Sequence, residues 1–308
     1  WLTSRLLSDG ALVTDRGDAS GTGYWSPGGY REDLLRLAFG RSLETPRVLD
    51  PSAVAGSTGT GLLVAAGTGD NMAAALGLDA GPGDVVVSIG TSGTAFAVHD
   101  TPVRDPSGAV AGFADATGRY LPLVATLNAA RVLVATAQLL GTTFEGLDDL
   151  ALRAGAGAGG LVLLPYLDGE RTPDLPGATG SLSGLTRSSM TPANLARAAV
   201  EGVLCGLADA VDALRTQGVA PRRVLLIGGG ARSRAVQLLA ADLLGLPVVI
   251  PEPAEYVALG AARQAAWALT GALPSWPVAT SSCREPAEDV LHVRAAYALA
   301  RDAAVAAR

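Results

Sequence analysis

Two short apolar runs limit the folds open to this chain, because each leads straight into a glycine-rich turn. Val85-Val86-Val87-Ser88-Ile89 reads as a strand and continues into Gly90-Thr91-Ser92-Gly93-Thr94. Val224 to Ile227 reads as a buried strand running into Gly228-Gly229-Gly230-Ala231, after which Ser233 caps a helix through Leu244. Around these runs the chain is strand-rich at first and then alternates helix with strand, which predicts an α/β fold.

The remaining elements follow from the same signals. Residues 1–9 read as the tail of a helix stopped by Gly10, so the chain reads as starting inside an element. This start predicts that an N-terminal portion precedes it. The segment TDRGDASGTGYW reads as turn-rich, Tyr30 to Phe39 as a helix, and the Pro/Gly/Ser/Thr-rich residues 45–61 as a linker. Leu62 to Ala66, Gly93 to His99 and Tyr120 to Val124 read as strands, the last two joined by a loop. Asn128 is expected to cap a helix through Leu140, with a short helix over Leu147 to Arg153. AGAGAGG at 154–160 reads as a flexible surface loop before the strand 161–164. Thr191-Pro192 is a helix start, and apolar residues at near-helical spacing carry that helix to Gly218. A strand at 248–250, a helix at 258–269 and an Ala-rich helix from about Pro286 to Arg308 complete the reading.

Composition removes several classes of chemistry. All 23 basic residues are arginine, so there is no Walker-type P-loop lysine and no Schiff-base lysine. The net charge is −6, with no Lys/Arg-rich patch, which argues against nucleic acid as a partner. Cys205 and Cys283 form neither a disulfide framework nor a zinc site, and His99 and His292 lie far from any Cys/His cluster. No run reaches the length of a membrane span and no secretory signal is visible. A reduced, soluble, cytoplasmic protein is expected, with its metal ligands unassigned and its oligomeric state open to a homodimer.

Four segments carry candidate chemistry, each with a structural alternative. Asp70, between Gly69 and Asn71, is either a helix N-cap or a carboxylate that takes a proton from an attacking hydroxyl. Gly90 to Thr94 is either a hairpin turn or a set of backbone amides around phosphate oxygens, with Thr91 adding a hydroxyl. The three glycines at 228–230 allow either a ligand or a neighbouring strand to approach the backbone closely. In LPYLDGERTP at 164–173, Glu170 beside Arg171 reads as a structural ion pair.

Together these residues resemble the FGGY family of carbohydrate kinases, and within it the xylulokinases. The resembling pieces are Gly67-Thr68-Gly69-Asp70-Asn71, SIGTSGT, LPYLDGERTPD, Val200-Glu201-Gly202-Val203, LIGGGARS and Leu259-Gly260-Ala261-Ala262-Arg263, in family order over about residues 12–270. The resemblance implies a ribonuclease-H/actin-like ATPase fold, with residues 62–308 as the complete second, nucleotide-binding lobe. Residues 1–61 would be the remnant of a first, sugar-binding lobe. It also implies Asp70 as catalytic base and sugar contact and Asn71 as a sugar contact. Gly90 and Thr91 would lie at the ATP phosphates, and Gly229, Gly230 and Ala231 along the adenosine. Ser233 would be a further nucleotide contact, standing where glycerol-type relatives have Asn, and PAEYVA stands before LGAAR where many xylulokinases are glycine-rich. Family members begin with an Asp-x-Gly-Thr strand, which this sequence lacks. The implied reaction is ATP- and Mg²⁺-dependent phosphorylation of D-xylulose. The alternatives are another ketose or polyol as substrate, or a non-catalytic nucleotide-binding fragment.

Overall fold

The computed structural model describes residues 1–306, so the expected end of the last helix at Arg308 lies outside the described residues. The chain divides into two compact units, each assembled from separate stretches of sequence. One comprises residues 1–82, 97–122 and 253–278, and the other residues 83–96, 123–252 and 279 onward.

The second unit is built on a mixed sheet. Its strands lie in the order Thr280–Arg284, Val248–Pro251, Arg223–Ile227, Asp84–Ile89, then the ends of Gly93–Ala97 and Tyr120–Thr126 that fall in this unit. Arg223–Ile227 runs parallel to both Val248–Pro251 and Asp84–Ile89, whereas the pair Gly93–Phe96 and Leu123–Thr126 is antiparallel. The central strands are apolar because both faces are covered: Val85, Val86, Val87 and Ile89 are at most 1% exposed. The 25-residue helix Pro192–Thr216 forms the spine of the unit. It starts at Thr191, whose hydroxyl accepts from the Asn194 amide, and buries Val200, Leu204, Leu207, Val211 and Leu214. Helices Ala130–Leu139, Phe144–Ala151, Arg234–Leu244 and Leu291–Ala306 pack on it. No described helix is long and apolar enough to cross a membrane.

The first unit departs more from expectation. TDRGDASGTGYW is not simply turns: Arg16–Gly21 is a helix, and the Asp15 carboxylate caps it by accepting from the Gly17 and Asp18 amides at 2.7 and 3.1 Å. Asp, Gly and Ser favour turns and N-caps alike, so composition alone did not separate the two. Nor is 45–61 a free linker, because Val54–Ser57 pairs antiparallel with Leu63–Ala65, and Arg47–Val48 pairs parallel with Val13–Thr14. Leu7, Leu49, Ala55 and Ala66 close a small core beneath these pairs. The loop expected before Tyr120 contains the strand Ala111–Ala114.

Candidate active site

In the second unit the two glycine turns lie side by side. Ile227 pairs with Ser88 in the parallel register, so both strands deliver their turns at the same, carboxyl end of the sheet. That end is where open α/β sheets bind ligands. The contact between the turns is tight. A Cβ on Gly228 would stand 2.6 Å from the Ile89 carbonyl oxygen, and one on Gly230 would stand 2.3 Å from Ile89 Cγ2. Gly228 also has φ +95°, a conformation reserved for glycine. Close packing therefore accounts for Gly228 and Gly230, and Ala231 beside them is buried. Gly229 differs. It is exposed, as Gly228 is, but nothing lies within 4 Å of an added Cβ, so its backbone faces open space.

The other turn is anchored from outside. The Gly90 amide donates to the Ser92 carbonyl and the Gly90 carbonyl accepts from the Ala130 amide, both at 3.0 Å. Arg131 Nε donates to the Thr91 carbonyl at 3.3 Å while Nη1 pairs with Asp168 at 2.7 Å. The turn thus carries a guanidinium at its edge, with Thr91 and Ser92 exposed.

Ser233 has a different environment from its neighbours. It is 1% exposed; its hydroxyl accepts from the Val236 amide and donates to Asp148, whose other oxygen accepts from the Arg234 amide. The hydroxyl is spent on starting the helix Arg234–Leu244. Ser233→Ala is expected to cost about 2–4 kcal/mol, combining a lost cap with a buried carboxylate short of one donor. Urea unfolding would measure it, and an unchanged midpoint would show that the hydroxyl has no such task.

Two expectations need correction, one in LPYLDGERTP and one at Asn128. Glu170 is not paired with the Arg171 guanidinium. It is 3% exposed and accepts from the Leu127 amide (2.6 Å), the Arg171 backbone amide (2.7 Å) and Asn128 Nδ2 (2.9 Å). Asn128 likewise does not cap the following helix, which begins at Ala130 without a side-chain cap. Its amide holds Glu170 and the Gly169 carbonyl, and its oxygen takes the Leu167 amide. A buried carboxylate with several amide donors is stable without a countercharge. The conspicuous charge in this motif is a brace for a loop whose Asp168 holds Arg131.

Asp70 and Asn71 belong to the first unit. Asp70 is the first residue of the helix Asp70–Gly77, whose N-cap is Gly69, so the carboxylate is not the cap. It is exposed and accepts from the Asn71 amide and Asn71 Nδ2 at 2.7 and 2.8 Å. The Asp18 carboxylate would lie 2.9 Å from a Cβ on Gly69, which brings TDRGD against GTGDN. Burial, with the nearby Asp18 charge, raises the pKa of Asp15.

The helix bearing Asp70 is seated on the helix Tyr256–Thr270 almost backbone to backbone. An added Cβ at Gly260 would meet the Ala73 carbonyl oxygen at 1.9 Å, and one at Gly77 would meet the Tyr256 carbonyl oxygen at 2.1 Å. Arg263, 4% exposed, then closes the far end: it donates to the Leu76 carbonyl at 2.8 Å and to Pro274 at 2.6 Å and pairs with Asp79 at 2.6 Å. Gly260 and Arg263 were visible as a motif, but their work as positioning residues was not. The signal was a small residue followed by arginine three positions on, one turn of the same helix. Gly260→Ala is expected to lower stability by about 2–4 kcal/mol by forcing the helices apart. An unfolding transition unmoved by this change would refute the seat.

Among the described residues, no three His, Cys, Asp or Glu side chains gather to hold a metal ion. Cys205 is buried, which pushes its thiol up to about 12 and leaves it unreactive.

Residues 85–269 match the C-terminal domain of the FGGY family of carbohydrate kinases. The xylulose kinase of Streptomyces coelicolor is 49% identical over 283 residues, covering 88% of this chain and 56% of its own. That of Streptomyces rubiginosus is 45% identical, with 94% and 61% covered. The crystal structure of xylulose kinase from Bifidobacterium adolescentis superposes with a TM-score of 0.85 at 43% identity, over 94% of this chain and 62% of that one. This chain therefore spans about three-fifths of the length of the relatives it matches. Its fold is the α/β fold of the ribonuclease-H/actin-like ATPases, and the chain belongs to the FGGY family of carbohydrate kinases.

Proposed function

We propose that this chain is the nucleotide-handling part of a cytoplasmic xylulokinase, which transfers the γ-phosphoryl group of ATP to the terminal hydroxyl of D-xylulose. The observation that carries the reading is the 49% identity with a xylulose kinase over most of the chain. The division into residues 1–61 of a sugar-binding lobe and 62–308 of a nucleotide-binding lobe belongs to the same proposal.

The residues divide the work by their chemistry. Asp70, exposed and free of capping duty, accepts the proton of the sugar hydroxyl, and Asn71 holds both that carboxylate and the sugar. Gly90 and Thr91 meet the phosphates, with the Arg131 guanidinium held against the same turn as a permanent cation, a role only arginine can fill in a lysine-free chain. Gly229, whose backbone is open, lies along the adenosine with Gly230 and Ala231 shaping the turn beneath it. Ser233 fixes the start of the next helix beside this turn, at the position the nucleotide site uses in glycerol-type relatives. Mg²⁺, carried mainly by the phosphates and water, supplies charge neutralisation when bound. Phosphoryl transfer is loose, so placement of these groups contributes more than the basicity of Asp70.

The test is phosphorylation of a panel of D-xylulose, other ketoses, gluconate and glycerol, by this chain and by a longer version carrying the upstream sequence. Preference for D-xylulose by the longer version supports the reading. Turnover of a different sugar moves it to another kinase of the family, and nucleotide binding without any turnover leaves a binding fragment.

A further inference from the structure

The Arg131–Asp168 pair is held more firmly than its contribution to stability explains. The Asp168 side chain is 57% exposed and that of Arg131 32%, and a pair this wet shifts a folding equilibrium by about fivefold at most. Yet the backbone on either side of Asp168 is pinned by buried groups. The Leu167 amide donates to Asn128 Oδ1 at 3.1 Å, Asn128 Nδ2 donates to the Gly169 carbonyl at 2.6 Å, and Glu170 takes the Leu127 amide. Asn128 and Glu170 are each 3% exposed. Residues 127 and 128 stand just before the helix Ala130–Leu139, whose second residue is Arg131. All of these residues lie in the second unit. The main chain therefore fixes the two ends of the ion pair to each other, and only the side chains between them are left to move.

The guanidinium has capacity to spare. Nε goes to the Thr91 carbonyl and Nη1 to Asp168, while Nη2 has no hydrogen-bond partner among the described residues. The amides and hydroxyls of Thr91 and Ser92 likewise have no partner there, and both residues are exposed. A surplus of donors at one exposed turn suits an oxyanion, and the planar fork of a guanidinium matches a phosphate. Asp168 already takes one branch of that fork. A phosphate and Asp168 share it only at a cost, because two anions a few ångströms apart at a protein surface repel more strongly than an exposed pair attracts.

We propose that Asp168 is a positioning residue: it holds Arg131 against the turn until a phosphate group of the nucleotide displaces it, and takes Arg131 back when the nucleotide leaves. The exchange rests on the reading that places the phosphates at Gly90 and Thr91. One anion replaces another on one cation, and no covalent bond changes. Asp168 thereby weakens nucleotide binding and favours release, whereas a purely structural pair would affect neither.

The test is calorimetric titration of ATP and of adenosine into the chain, its Asp168→Asn and Arg131→Ala variants, and the double variant. Asp168→Asn keeps the shape and removes the charge. It should tighten ATP about three- to tenfold, leave adenosine unchanged and hold the unfolding midpoint. Arg131→Ala should weaken ATP at least about tenfold, with adenosine within about twofold of the parent. In the double variant the gain from Asp168→Asn should vanish, because no guanidinium remains to be released. Asp168→Asn binding ATP no more tightly than the parent would overturn the exchange. An equal gain with Arg131 absent would also overturn it, reducing Asp168 to one more negative charge near the phosphates. Unaltered ATP affinity in Arg131→Ala would overturn the exchange while leaving the nucleotide site in place. A parent chain that binds neither ATP nor adenosine would remove the nucleotide site and the exchange together.

Discussion

Replacing Asp70 with Ala is expected to lower sugar phosphorylation by about 10²- to 10⁴-fold, while nucleotide affinity stays within about twofold. The assay requires the chain with its upstream sequence, a saturating sugar concentration and a separate nucleotide titration. The structure makes this a clean experiment, because Asp70 is not the cap of its helix. Gly69 occupies that position, and the carboxylate contacts only its neighbour Asn71 among the described hydrogen bonds. An acidic residue in a helix's first turn is worth about 0.3–1 kcal/mol, so unfolding should scarcely change. Asp70→Asn keeps the shape and removes the proton acceptor, and it should fall nearly as far. Retention of most activity by either variant would remove Asp70 from the chemistry.

The two glycines at the head of the second turn are expected to separate folding from binding. Gly228→Ala should cost about 3–5 kcal/mol, because φ +95° excludes a side chain and the Ile89 carbonyl blocks its space at 2.6 Å. Gly229→Ala meets nothing within 4 Å and should leave stability within about 0.5 kcal/mol. If a nucleotide lies against this backbone, the same methyl should weaken its binding at least about tenfold. Calorimetric titration of ATP and thermal unfolding of both variants would read the two effects separately. Unaltered ATP affinity in Gly229→Ala would take the adenosine away from this turn.

Much of this site was legible as sequence, because its strands are continuous apolar runs and its turns are glycine-rich. Val85 to Ile89 and Val224 to Ile227 are where the residues said they would be, and their parallel pairing brings the turns together. What stayed hidden depends on partners distant in sequence. Asn128 precedes a helix and looked like its cap, but Glu170 and Gly169, more than forty positions away, claim its amide. AGAGAGG has the composition of a loose loop, and only the Glu201 anchor on the Gly157 amide and the burial of Ala158 reveal an ordered turn. Arg16–Gly21 was hidden for the opposite reason, since its own residues favour turns and its stability comes from the Asp15 cap and from packing, including Phe113 against Gly21.

The glycine seat beneath Asp70 has a consequence for how this protein tolerates change. Side-chain contacts can absorb an altered neighbour by shifting a rotamer, but two backbones in contact cannot. Exposed positions on the helix Tyr256–Thr270, such as Val257, Leu259 and Leu269, are therefore free to drift without disturbing the carboxylate. Gly77 and Gly260 are not. In a library of random variants selected for function, those two positions should be emptied of every other residue, although neither touches a reacting atom.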